Sequence, residues 1–246
     1  MTQKGGGRRR KPTAGAAGVP LSRALSKLGV LSRSQAVEAV RAGRVSVDGQ
    51  VVRDAAVLVV PERALLLVDG VRCRRAPWRT ILFHKPRGTV TTLSDPDGRP
   101  TVYDVLGEAG AGLVAVGRLD LATSGLLLLT SDTRLADWIT NPAHEVCRLY
   151  AVTVRGRIDP SQMARLPVPV ALRKASSRES HLLVELREGR NRQVRRMFDA
   201  IGREVTRLKR VRLGGLDLAD LEPGQHREVL REEISAAFPG APVREV

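Results

Sequence analysis

At 246 residues the chain has room for one large domain or a large and a small one, and its 42% hydrophobic content supports a core that must be aliphatic, since aromatics are only 3%. Lys plus Arg number 41 against 26 Asp plus Glu, a formal net charge of +15 that points to a polyphosphate partner held by phosphate pairing and counterion release. No apolar segment approaches the roughly 18–20 residues that span a bilayer, the polar Gly/Arg-rich N-terminus is unlike a secretory leader, and Cys73 and Cys147, with four scattered histidines, form neither a disulfide framework nor a metal-ligand spacing; a reducing, cytoplasmic setting without metal or membrane is expected.

Residues 1–18 carry Lys4, Arg8, Arg9, Arg10 and Lys11 among Gly and Ala, without acids. Such a segment buries too little apolar surface to offset its ordering entropy, so it is expected to be a disordered basic arm. Leu21, Ala24, Leu25 and Leu28 then fall at i, i+3, i+4, i+7, one face of a helix, with Gly29 placed to end it. Ser32 is a candidate cap for a second helix through Arg41, ending near Gly43. Asp48-Gly49 between Val45-Ser46-Val47 and Gln50-Val51-Val52 is a hairpin signal. Two short helices and a hairpin make a very small module, and its basic residues include Arg23, Lys27, Arg33, Arg41 and Arg44. Residues 61–79 read as the close of this module and a linker.

From Trp78 the pattern changes. Thr80 to His84 reads as a strand running into the turn Lys85-Pro86-Arg87-Gly88, and Val102 to Leu106 as a short helix after Pro100. Strands are expected around Val114 and Leu127, a helix through Leu135 and Ile139 closed by Asn141-Pro142, and strands at Leu149–Val154 and His181–Leu186. Val194, Met197, Phe198 and Ile201 again mark one helix face, with Gly202 to end it. Between Glu188 and Arg212 there are nine basic residues and three acidic ones, the densest charge of the folded part.

Within this basic chain, Gly117-Arg118-Leu119-Asp120 sets a carboxylate on a loop between two apolar runs. A carboxylate there repels a polyanion, so Asp120 needs a reason: either capping a turn beside Arg118, or chemistry on the nucleic acid itself.

Two resemblances emerge from these motifs. Leu-x-x-x-Leu-x-x-x-Gly-Val-x-Ser-Arg followed by Val-x-Ala-Gly-Arg-Val-x-Val-Asp-Gly (from Leu21 to Gly49) resembles the RNA-binding module named after a small-subunit ribosomal protein, which implies that Ser32, Arg33, Ser34, Arg41, Gly43 and Arg44 face RNA. Lys85 to Gly88, Asp95 to Val102, Gly117 to Asp120 with Thr123 to Leu127, and Glu188 to Met197 together resemble the RsuA/RluB-type rRNA pseudouridine synthases, over residues 20 to 235. The resemblance implies an α+β chain: a small two-helix-plus-hairpin RNA-binding domain with its linker (19–77), then a catalytic domain (78–240) on a mixed, mostly antiparallel sheet with flanking helices. It implies isomerisation of a uridine in ribosomal RNA, large-subunit rRNA favoured, with no cofactor and no metal, by a monomer acting on rRNA or an assembly particle. Asp120 matches the nucleophile; a carboxylate, with an unperturbed pKa of about 3.9, is ionised at neutral pH and needs no separate base. Arg195 matches the cation that pairs with it, Arg196 being the register-shifted alternative. Tyr150 matches the active-site aromatic, able to recover part of the cost of extruding a base. Arg118, Arg190 and Arg192 are candidates for holding the nucleotide or its phosphates, and Leu208 for packing in the pocket. Where the family usually has lysine, this chain has Arg148. The competing reading is a noncatalytic RNA-binding ribosome-assembly factor. A methyltransferase carrying the same first module would need a glycine-rich nucleotide turn, and neither Gly-x-Gly-x-x-Gly nor a P-loop is found.

Overall fold

A computed structural model describes residues 18–31, 33–61, 63–74 and 77–243. The basic arm through residue 17 and the Ser32 cap lie outside the described residues. The chain divides into two compact units, one ending at residue 75 and one starting at 76.

The first unit contains β1 (Val19–Pro20), α1 (Leu21–Lys27), α2 (Arg33–Arg41), β2 (Val45–Val47), β3 (Gln50–Val51), β4 (Leu58–Val59), β5 (Leu66–Val68) and β6 (Val71–Arg72). The α1 face expected from spacing is buried: Leu21, Ala24 and Leu25 pack with Ala36, Ala39 and Val40 of α2 against Val45, Leu66 and Val68. Gly29 leaves α1 at φ 76°, and Asp48 and Gly49 both take positive φ in the two-residue turn joining β2 to β3. The linker reading of 61–79 is corrected. Residues 66–72 form a second hairpin, turned by Asp69-Gly70, that completes a four-stranded sheet in the order β3-β2-β5-β6.

The second unit runs β7 (Thr80–Lys85), α3 (Val102–Leu106), β8 (Val114–Ala115), β9 (Ser124–Thr130), α4 (Thr133–Thr140), β10 (Arg148–Arg155), α5 (Pro160–Ala164), β11 (Val170–Ala175), β12 (Glu179–Leu186), α6 (Gln193–Asp199), β13 (Val205–Leu213), β14 (Leu216–Asp217), β15 (His226–Glu228) and α7 (Arg231–Ala237). Its nine-stranded sheet has the path β11-β12-β10-β13-β9-β7-β15, with β14 on β13 and β8 on β9. Every pairing is antiparallel except β13 with β9, so the sheet is mixed and mostly antiparallel. The four consecutive leucines of β9 explain its central place. Leu126 and Leu128 enter the cluster under α4 and α7, while Leu127 and Leu129 enter the one under α3, so both faces are covered. α6 seals a third cluster through Val194 and Phe198.

The parallel β13–β9 contact depends on one glycine. Gly125 lies opposite Arg210 with φ 108°, and a β-carbon there would run into the Arg210 backbone. This close approach places the start of β9, and the loop before it, beside β13.

Candidate active site

The loop from Val116 to Thr123 enters the sheet at that seam. Lys85, the last residue of β7, is fully buried and donates its three ammonium hydrogens to carbonyls of Thr123 (2.8 Å), Pro86 (3.1 Å) and Asp120 (3.2 Å). Gly88 N–H donates to Leu121 O at 2.8 Å, and the Thr91 hydroxyl donates to Leu119 O at 2.9 Å. The backbone carrying Asp120 is therefore gripped from several sides. Burial pushes the Lys85 ammonium down to about 8, against the opposing pull of the Asp120 charge.

The Asp120 carboxylate itself is half-buried, lines a cavity of about 300 Å³, and makes no hydrogen bond or ion pair with any described residue. This volume is at the small end of ligand cavities. Tyr150, Arg118, Arg190, Arg192 and Leu208 share the same wall. Tyr150 is half-buried on β10, and Leu208 is buried on β13, where it serves both the cavity and the core beneath α6. Arg118, Arg190 and Arg192 are exposed at the rim. Arg192 opens α6 in the left-handed region at φ 49°, a strained position for a non-glycine residue.

A second carboxylate, Glu188, also lines the cavity, but it is occupied. It accepts from Gln193 Nε2 and pairs with Arg190 Nε at 2.9 Å. Of the two acids, only Asp120 has free oxygens.

Two sequence expectations are corrected. Arg195 does not pair with the Asp120 carboxylate: its guanidinium donates to Ala122 O (3.1 Å) and Val205 O (2.9 Å), bolting the Asp120 loop to β13. Its charge still feels Asp120, which opposes the lowering of its pKa by burial and by Arg192. Arg196 is exposed on α6 and lies outside the cavity wall. Sequence reading also passed over three buried cations. Lys85 enters the sequence only within the turn motif Lys85 to Gly88 that helps carry the resemblance, with no role of its own, Arg148 only as a departure from family habit, and Arg210 only among the basic residues between Glu188 and Arg212. Arg148 donates to Val146 O (2.6 Å), Ile139 O (3.2 Å) and Arg187 O (3.4 Å), joining the end of α4 to the strands at the cavity floor.

In the first unit, Arg33, Arg41 and Arg44 are exposed. Arg44 is held by Asp69, whose hydrogen bond raises the arginine's pKa. Gly43, at φ 74°, leaves room for the Arg53 guanidinium, which donates to Arg41 O at 3.2 Å. A β-carbon at Gly43 would stand 2.6 Å from that group.

Comparison with known proteins places these features. The RNA pseudouridylate synthase family pattern matches residues 79–200, and the S4 domain pattern matches residues 19–63. An RNA pseudouridine synthase of Mycobacterium leprae is 38% identical over 91% of this chain and 94% of its own length. The ribosomal large subunit pseudouridine synthase B of Bacillus subtilis is 34% identical over 87% of this chain and 93% of its own. A crystal structure of a pseudouridylate synthase superposes with a TM-score of 0.60 at 29% identity, covering 88% of this chain and 98% of that one.

Proposed function

The chain belongs to the RNA pseudouridine synthase family, and from that premise we propose that it converts a uridine of ribosomal RNA, in the large subunit, to pseudouridine with Asp120 as nucleophile. The observation that carries this reading is the unpartnered Asp120 carboxylate, on a backbone fixed by Lys85, facing a cavity shared with Tyr150.

The division of labour follows from the side chains. The target nucleotide leaves its stack at a cost of a few kcal/mol. Tyr150 offers its ring as a platform, and stacking on an aromatic recovers about 1–3 kcal/mol per base. Arg118, Arg190 and Arg192 at the rim take the flanking phosphates. Asp120 attacks C1′ as the N1–C1′ bond breaks, the uracil turns, and C5 bonds to C1′ as the bond to Asp120 breaks and returns the free carboxylate. The C5 proton leaves and N1 gains one, so composition and oxidation state are unchanged and the reaction needs no redox cofactor. Residues 19–77 dock RNA through Arg33, Arg41 and Arg44, and residues 78–240 perform the chemistry. We place the protein in the cytoplasm, as a monomer. The large-subunit assignment is supported by the names of relatives that match over most of this chain.

The test uses unmodified small- and large-subunit rRNA transcripts, mapped by carbodiimide labelling and reverse-transcription stops. Wild-type protein should create one new stop in the large-subunit RNA. Asp120→Asn should create none while binding the same RNA with unchanged affinity. A stop made equally by Asp120→Asn removes Asp120 as nucleophile. Salt-sensitive binding by the wild type with no stop in either RNA favours the noncatalytic assembly-factor reading.

A further inference from the structure

Two guanidinium groups are buried at the cavity floor, Arg148 at 7% and Arg210 at 3% exposure. They are near enough that the Arg210 charge adds to burial in lowering the Arg148 pKa. Neither forms an ion pair with any described residue. Their donors are used differently. Arg148 spends both terminal nitrogens on three backbone carbonyls. Arg210 donates Nε–H to Leu126 O at 2.7 Å, and its Nη2 is buried without a partner among the described residues.

The strand register aims Arg210 at the site. It is the direct cross-strand neighbour of Tyr150 on the β10–β13 ladder, and it stands two residues from Leu208, so the three side chains share one face. Directly opposed side chains start from β-carbons about 4.5–5.5 Å apart. An unpartnered donor on a buried cation is costly, and a ligand acceptor arriving at that position offsets the cost.

The depth of the site selects which acceptor. Phosphates remain with the exposed rim arginines, so the floor meets the base. In a nucleotide whose sugar lies toward the rim, the deepest ring atoms are those across the ring from N1, which in uracil carry O4. Guanidinium has only donors. It therefore matches the O4 acceptor of uracil and opposes the amino group that cytosine carries at the same place. We propose that Arg210 is a substrate-contacting residue whose free guanidinium edge hydrogen-bonds uracil O4, selecting uracil over cytosine and stabilising the negative charge of the detached ring. When the N1–C1′ bond breaks, its electron pair passes to N1 and is shared with O2 and O4. The charge is lost when C5 bonds to C1′, the C5 proton departs and N1 is protonated. This assignment deepens the synthase reading above and rests on it.

The test has two arms. In the first, uridine 5′-monophosphate and cytidine 5′-monophosphate are titrated into the full-length protein while the Arg210 guanidinium N–H resonances, identified by their loss in Arg210→Lys, are followed by NMR. The uridine nucleotide should shift them and the cytidine nucleotide should not. In the second, Arg210→Met and Arg210→Lys are assayed on the rRNA transcript at saturating RNA. Arg210→Met should lose roughly 10- to 100-fold in kcat, the scale of one charge-assisted hydrogen bond, and should bind RNA with cytidine at the target as tightly as RNA with uridine. Arg210→Lys, keeping charge without the fork, should retain part of both. Equal shifts by the two nucleotides, no shift by either, or turnover by Arg210→Met within twofold of wild type overturns the proposal. If Arg210→Met does not fold, Arg210→Lys and the nucleotide arm decide. Selective shifts without any wild-type turnover keep the uracil subsite and remove the synthase reading; turnover without selective shifts does the reverse.

Discussion

Replacing Lys85 by Met separates what holds the protein together from what holds Asp120 in place. The ammonium has three carbonyl partners, but two of them have others: Asp120 O also accepts from Thr123 N at 2.9 Å, and Pro86 O from the Thr89 hydroxyl at 3.0 Å. Methionine fills a similar volume and orphans mainly Thr123 O, which costs about 1–3 kcal/mol. Against that, the buried charge is itself expensive. A pKa lowered from 10.5 to about 8 corresponds to about 3 kcal/mol against the charged form. The two effects nearly cancel, so Lys85→Met should change unfolding stability at pH 7 by no more than about 2 kcal/mol in either direction. Turnover should fall about 100-fold, because the Asp120 loop loses its tether to β7 and small displacements of a reacting group are costly. Chemical denaturation reads the first quantity, and tritium release from RNA made with 5-tritiated uridine reads the second. The pH dependence carries a further signature. Below pH 8 Lys85 is protonated in both folded and unfolded states and its penalty is complete. Between about 8 and 10.5 the unfolded chain keeps the proton that the folded one has lost, so wild type gains stability relative to Lys85→Met as pH rises. Activity should decline in the same window, since a neutral amine has two hydrogens for three carbonyls. Wild-type turnover in Lys85→Met, or a stability loss above about 4 kcal/mol, refutes the reasoning.

Two other outcomes follow from the fold. Gly125→Ala forces a β-carbon into the Arg210 backbone at φ 108°; it should cost more than about 3 kcal/mol and yield little soluble protein, and normal expression with an unchanged melting temperature would contradict the β13–β9 seam. Removing residues 1–75 should leave a folded second unit, which has hydrophobic clusters of its own. It should reduce both RNA affinity and the slope of log K against log salt; an unchanged slope would deny the first unit its role in RNA docking.

Much of this fold was legible because the signals are local. The 3.6-residue spacing placed α1 and α6, a cap candidate and a closing glycine placed α2, and Asp48-Gly49 announced its hairpin. The same logic applied to Val68-Asp69-Gly70-Val71 would have revealed the second hairpin, hidden only because the arginines that follow suggested a linker. β11 escaped notice for another reason: it is an exposed edge strand whose residues lack an apolar alternation. In the site, Asp120 stood out because its charge conflicts with its surroundings. Lys85 and Arg210 did not, since a Lys or Arg in so basic a chain reads as surface charge. Only the register of β7, β9 and β13 shows that these two are buried.

The correction at Arg195 explains how an acid is kept reactive among so many arginines. A cation paired directly with Asp120 would stabilise the carboxylate but occupy the oxygens that attack in the proposed reaction. Here Lys85 and Arg195 both sense the Asp120 charge, yet the hydrogen bonds they make to this loop go to backbone carbonyls of residues 120, 122 and 123. Their positive charge offsets the field of incoming phosphates over several ångströms, because Coulomb attraction needs no contact, while hydrogen bonding, which does need contact, is directed to the loop. Glu188 illustrates the alternative: held by Gln193 and Arg190, it shapes the turn into α6 and has no free edge for chemistry. The distinction between the two carboxylates lies in where the neighbouring cations place their hydrogens.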